Sequence, residues 1–114
     1  MRKLINSGML ALLALSMACV SLETNAYKVI GATAVTVDAA MNGWGDFVRA
    51  GKASNDDQAV VRSSYEKYQK AMSASRTAVA TYRVNKDKTA LNLALDILDA
   101  TKNDLIDAIQ KGQL

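Results

Sequence analysis

Histidine and proline are absent from this chain of 114 residues, and cysteine occurs once, at Cys19. Without histidine, the commonest general base and the commonest transition-metal ligand are missing, and no serine has an imidazole to activate it. A single cysteine excludes an internal disulfide and a cysteine-pair zinc site. Aromatic residues make up only 5% of the chain, and no glycine-rich phosphate loop occurs. An enzyme is therefore not expected, and no catalytic residue, metal site or cofactor is assigned.

What the chain does have is alanine and aliphatic residues: hydrophobic residues make up 50% of it. Alanine-rich sequence without proline favours helices, and the length suits one small domain. The formal charge of +3 includes Arg2 and Lys3. From Cys19 onward there are 12 basic and 11 acidic residues, a net charge of +1, which argues against a nucleic-acid partner.

Arg2 and Lys3 precede MLALLALSMACV (Met9–Val20), a stretch uninterrupted by charge. A run of about 12 residues has the length of a signal-peptide core and falls short of the roughly 20 needed to cross a bilayer. Residues 1–18 are therefore expected to be an export signal, residues 19–28 a tether, and residues 29–112 the folded part. Leu15-Ser16-Met17-Ala18-Cys19 resembles the lipobox of bacterial lipoproteins, although Ser16 stands where leucine is usual. The resemblance implies cleavage before Cys19, a diacylglyceryl group on its thiol, and a membrane-anchored protein of the cell envelope. The alternatives are cleavage after Ala26, with Thr24 and Ala26 as the small residues, cleavage after Ala18 leaving Cys19 bare, and no cleavage, with the apolar run as a buried core helix. A lone cysteine is uncommon in an exported protein without a partner, which favours lipidation.

The remainder reads as three helices. Ile30, Ala34, Val37, Met41, Trp44 and Val48 recur at steps of four and three, a heptad seam over about Val29–Arg49. The β-branched run through Val37 admits a strand, but the seam's continuity into Trp44 favours a helix. Gly51 suits a helix end, and Asn55 with Gln58 reads as a capping-box variant opening the second helix. That helix, about Asp56–Asn85, carries Val61, Tyr65, Tyr68, Met72, Ser75, Val79 and Tyr82 on one seam. The polar cluster Asn85–Lys88 reads as a turn. The third helix, about Lys88–Lys111, carries Leu91, Leu95, Leu98, Lys102, Leu105 and Ile109, widened by Ala94, Ile97, Thr101 and Ala108, with Gly112 as its stop. Helices of this length run about 30–45 Å at 1.5 Å per residue. The expected fold is all-α, a small antiparallel three-helix bundle, with a hairpin leaving the first helix unpartnered as the alternative.

Few residues stand out chemically. Trp44 lies between Gly43 and Gly45, which together cost about 2 kcal/mol of helix propensity. The glycines are expected to admit a neighbouring helix while Trp44 fills the core; the functional alternative has Trp44 docking a partner or membrane interface. The second helix is basic, +5 over Gln58–Lys86, and Arg76, Arg83 and Lys86, with Lys70, form a candidate stripe for an anionic surface such as lipid headgroups or acidic cell-wall polymer. A solvated face complementing the acidic third helix is the ordinary reading. Asp96 with Asp99 and Asp104 with Asp107 read as solvated carboxylates, and the tyrosines as core.

TAVTVDAAMNGWGDFVRAGKAS (Thr33–Ser54), followed by YEKYQKAM (Tyr65–Met72), resembles short all-helical proteins of environmental bacteria and their phages. Those proteins have no assigned activity, so the resemblance implies helices around Val37, Met41 and Trp44 and carries over no functional residue.

The expected protein is thus an exported, lipid-anchored helical module of the envelope, structural or interacting, whose partners are the membrane and a helical protein or a second copy. The alternatives are a soluble periplasmic binding or inhibitor protein, and a phage lysis-type lipoprotein, which size and lipobox permit.

Overall fold

The computed structural model describes residues 22–114; the signal-peptide, lipobox and Cys19 expectations concern residues outside that range. Three helices follow in order: α1 (Arg2–Arg49), α2 (Asn55–Asn85) and α3 (Lys88–Gly112). Each packs against both others, with α2 and α3 forming the most intimate pair. The chain runs up, down and up. Glu23 of α1 meets Arg83 near the end of α2, and Trp44, late in α1, meets Gly112 at the end of α3. The all-α three-helix bundle is the fold observed.

The seams become the core. Ile30, Val37 and Trp44 of α1 are buried, as are Val61, Tyr68, Met72, Ser75, Val79 and Tyr82 of α2. Leu91, Leu98 and Leu105, spaced by sevens on α3, are fully buried, and Ile109 nearly so. The β-branched start of α1 is helical because Ile30, Thr33 and Val37 share the buried face. Lys102 stays on the seam by laying its stem along α3 and reaching Asp99 at 2.9 Å. Ser75, wholly buried, donates to the Ala94 carbonyl at 3.2 Å and ties α2 to α3.

Some expectations are corrected. Residues 22–28 are helical, where a tether ending before Val29 was expected: Ala26 is fully buried and Leu22 packs against the core. The heptad explains this, because Ala26 lies four residues before Ile30 and extends the same face. The cap of α2 is Ser54, one residue before the expected Asn55. Its extended backbone lets the hydroxyl accept from the Asp57 N–H at 3.0 Å, while the Gln58 amide donates to Ala53 O. Ile97 is half exposed and does not widen the seam, being two residues past Leu95 and about 200° around the helix. Gly43 and Gly45 admit no helix: a β-carbon on Gly43 would meet nothing within 4 Å, and one on Gly45 would meet only the Arg49 side chain.

Both connections are short. Gly51 takes φ 73, as its position after α1 requires. At the other end Lys86 takes φ 57, and its N–H donates to Tyr82 O at 2.9 Å. Asp87 then opens α3 by accepting from the Ala90 N–H at 3.1 Å.

Candidate functional site

The bundle has two chemically different ends. One holds the first described turns of α1 and the α2–α3 turn. There Lys28, Arg83, Lys86 and Lys88 face only two carboxylates, and both are engaged: Glu23 accepts from Arg83 Nε, and Asp87 caps α3. Arg83 also lies 5.3 Å from the Tyr27 ring, and the Lys86 ammonium lies 5.3 Å from the Tyr82 ring. The Glu23 hydrogen bond and charge raise Arg83 further above its ordinary range. Among the described residues Lys28, Lys86 and Lys88 form no ion pair. Val84, 87% exposed, and Tyr27, 46% exposed, add apolar surface to this end.

The other end carries Asp46, Asp56, Asp57 and Asp107 against Arg49, Lys52 and Lys111. Arg49 is paired with Asp46, and Lys111 with Asp107 at 2.9 Å. Four cations to two carboxylates at one end and three to four at the other give the bundle a charge gradient along its axis.

Grooves flank α2: a small one, about 260 Å³, lies against Trp44, Gly45, Gln58 and Arg62, and two larger ones lie further along the helix. Of the larger two, the first, about 450 Å³, runs between α1 and α2 and is lined by Asp38, Tyr65, Tyr68, Gln69 and Arg76 among others. Burial, then the Asp38 carboxylate, pushes the Tyr68 phenol above its ordinary range. The second, about 520 Å³ and mostly apolar, is lined by small residues of α2 such as Ala74, Thr77 and Ala78, with Lys70 at its margin.

The residues singled out in the sequence are therefore separated. Arg83 and Lys86 share the basic end, Arg76 lines the α1–α2 groove, and Lys70 lines the other one. Trp44 is 5% exposed, stacks on Phe47 with centroids 5.6 Å apart, and lies within the core. One side of it lines the small groove with Gly45, Gln58 and Arg62. Lys28 was missed because it lies on the first helix, far in sequence from Lys86; Lys88, two residues after Lys86, was legible in the Asn85–Lys88 turn but was left out of the stripe. The aspartates of α3 remain a solvated face, with Asp99 holding Lys102 and Asn103. Among the described residues no cluster of three or more acidic, cysteine or histidine side chains is placed to hold a metal, and no described helix is long and apolar enough to cross a membrane.

No protein-family model, curated protein or solved structure matches this chain.

Proposed function

We propose that this protein is an exported helical module held at the membrane by lipid on Cys19, with a structural or interacting role in the cell envelope. The observation that carries the reading is the order of signals before the bundle: Arg2 and Lys3, the apolar run from Met9, then Ala18-Cys19. The position of the bundle supports the same processing site. Cleavage before Cys19 leaves every core residue among the described residues in the mature chain. Cleavage after Ala26 would remove Ala26 itself, Leu22 and the Glu23 partner of Arg83. Stable attachment takes more than one acyl chain, which lipidation with N-terminal acylation at one cysteine supplies. The test is fractionation of cells expressing the full chain beside Cys19→Ser. The wild type is expected in the membrane fraction and released by detergent, not by salt; the variant is expected to be unprocessed or to leave the membrane. Identical processing together with identical fractionation of the two would overturn the reading.

A second reading, a soluble periplasmic binding or inhibitor protein, draws on the α1–α2 groove. Asp38, Gln69, Tyr65 and Arg76 there offer donors, acceptors and both charges to a small polar ligand. It requires a mature chain free of lipid and soluble after cell disruption.

A further inference from the structure

We propose that the basic end of the bundle, carrying Lys28, Lys86 and Lys88 beside the exposed Val84 and Tyr27, rests on a bilayer of anionic phospholipid, so that α1–α3 stand with the α2–α3 turn against the membrane. The inference rests on the lipid-anchor reading and adds an orientation and a lipid chemistry to it.

Reach is the first argument. Helical structure is established at Leu22, three residues after Cys19, so even a fully extended link spans at most roughly 11 Å. That is about one Debye length at 0.1 M salt, close to 10 Å. An anchor on Cys19 thus holds this end, and not the Trp44 end, within the range where headgroup charge is felt. A long flexible tether would leave orientation open; this chain has no room for one.

The second argument is charge. Arg83 neutralises Glu23, while Asp87 keeps its charge as it caps α3, so Lys28, Lys86 and Lys88 against that one carboxylate leave this end at +2. Cations beside an anionic leaflet each strengthen binding by about five-fold. The far end has more carboxylates than cations and would be repelled.

The third argument is the backbone at Lys86. Its φ of 57 lies in the left-handed region, where glycine or asparagine is the ordinary occupant. A lysine there places a cation at the apex of the turn, beside Val84, which at 87% exposure has nothing of its own chain to cover it. A valine at headgroup depth among lysines suits the boundary between polar and apolar lipid.

The experiment uses the full processed protein, purified in detergent and reconstituted into vesicles of pure phosphatidylcholine or of phosphatidylcholine with phosphatidylglycerol. An environment-sensitive fluorophore is placed at Val84→Cys or, as the far-end control, at Asn55→Cys, and quenchers are attached to the headgroups. Sedimentation with vesicles reads the anchor, and quenching reads the docking. Support would be sedimentation in both lipids with Val84 quenched several-fold more in the anionic vesicles. The Asn55 label should stay unquenched, and the difference should be lost at 1 M salt and in Lys28→Gln/Lys86→Asn/Lys88→Gln. Asparagine tolerates the left-handed backbone, so that variant keeps its turn, and an unchanged melting temperature checks it. Sedimentation with equal quenching at both labels, or quenching indifferent to lipid charge, overturns the orientation and leaves the anchor standing. No sedimentation in either lipid overturns the anchor and the orientation with it.

Discussion

The far edge of the Trp44 indole packs on the backbone of Gly112: a β-carbon there would stand 2.8 Å from Cη2 and 2.9 Å from Cζ3. Separations under 3 Å from a rigid buried ring cannot be relieved by rotating a flexible side-chain end. Gly112→Ala is therefore expected to destabilise the bundle by about 1–3 kcal/mol, as overpacking does, with altered Trp44 fluorescence. Gly43→Ala, in a helix with open space around it, is expected to stabilise by about 1 kcal/mol. Chemical denaturation of the two variants checks both signs.

The α3 seam gives the largest stability effects. Leu98→Ala empties a fully buried site and is expected to cost about 2–5 kcal/mol. Ser75→Ala loses the bond to Ala94 O, for about 1 kcal/mol. Ile97→Ala, on the exposed side of the same helix, is expected to change stability by less than about 0.5 kcal/mol. Thermal melts monitored by circular dichroism rank the three.

Much of this was legible in the sequence. Heptad spacing reports which face of each helix is apolar, so Val37, Trp44, Val61, Tyr68, Leu91 and Leu98 are read as core from their positions alone. The Asn85–Lys88 turn and Gly51 are legible because their chemistry is local. The match of Trp44 to Gly112 is not, since it joins residues distant in sequence and depends on how the helices are staggered. Nothing in GWG distinguishes glycines that face solvent from one that receives a ring. The early residues of α1 were obscured by Thr24-Asn25-Ala26, which reads equally well as a processing site. The basic end was legible only in part, through Arg83, Lys86 and the adjacent Lys88.

Tyr68 ties stability to alkaline pH. Burial, with help from Asp38, raises its pKa in the folded state, so the folded protein holds this proton more tightly than the unfolded chain. The contribution is complete below the unfolded tyrosine value of about 10 and is lost as pH rises through the raised folded value. An ultraviolet phenolate titration is expected to show a late phase that Tyr68→Phe abolishes and Asp38→Asn moves to lower pH.

Ala26 separates the processing alternatives through stability. In a mature chain that retains it, Ala26→Leu overpacks a fully buried position and is expected to cost about 1–3 kcal/mol. Glu23→Gln, at an exposed ion pair, is expected to change the melting temperature far less than Ala26→Leu. Because Ala26→Leu also removes the small residue that cleavage after Ala26 needs, the intact mass of the variant is read beside the melt; a melting temperature unmoved in a variant that begins after this turn would mean that the mature protein lacks it.

The most direct measurement is the intact mass of the mature protein from expressing cells, wild type beside Cys19→Ser. The expected result is a wild-type chain beginning at Cys19 with added mass of diacylglyceryl and acyl groups, and no such species in the variant. An unmodified chain beginning at Tyr27 in both would contradict the lipid anchor and the membrane-facing end together.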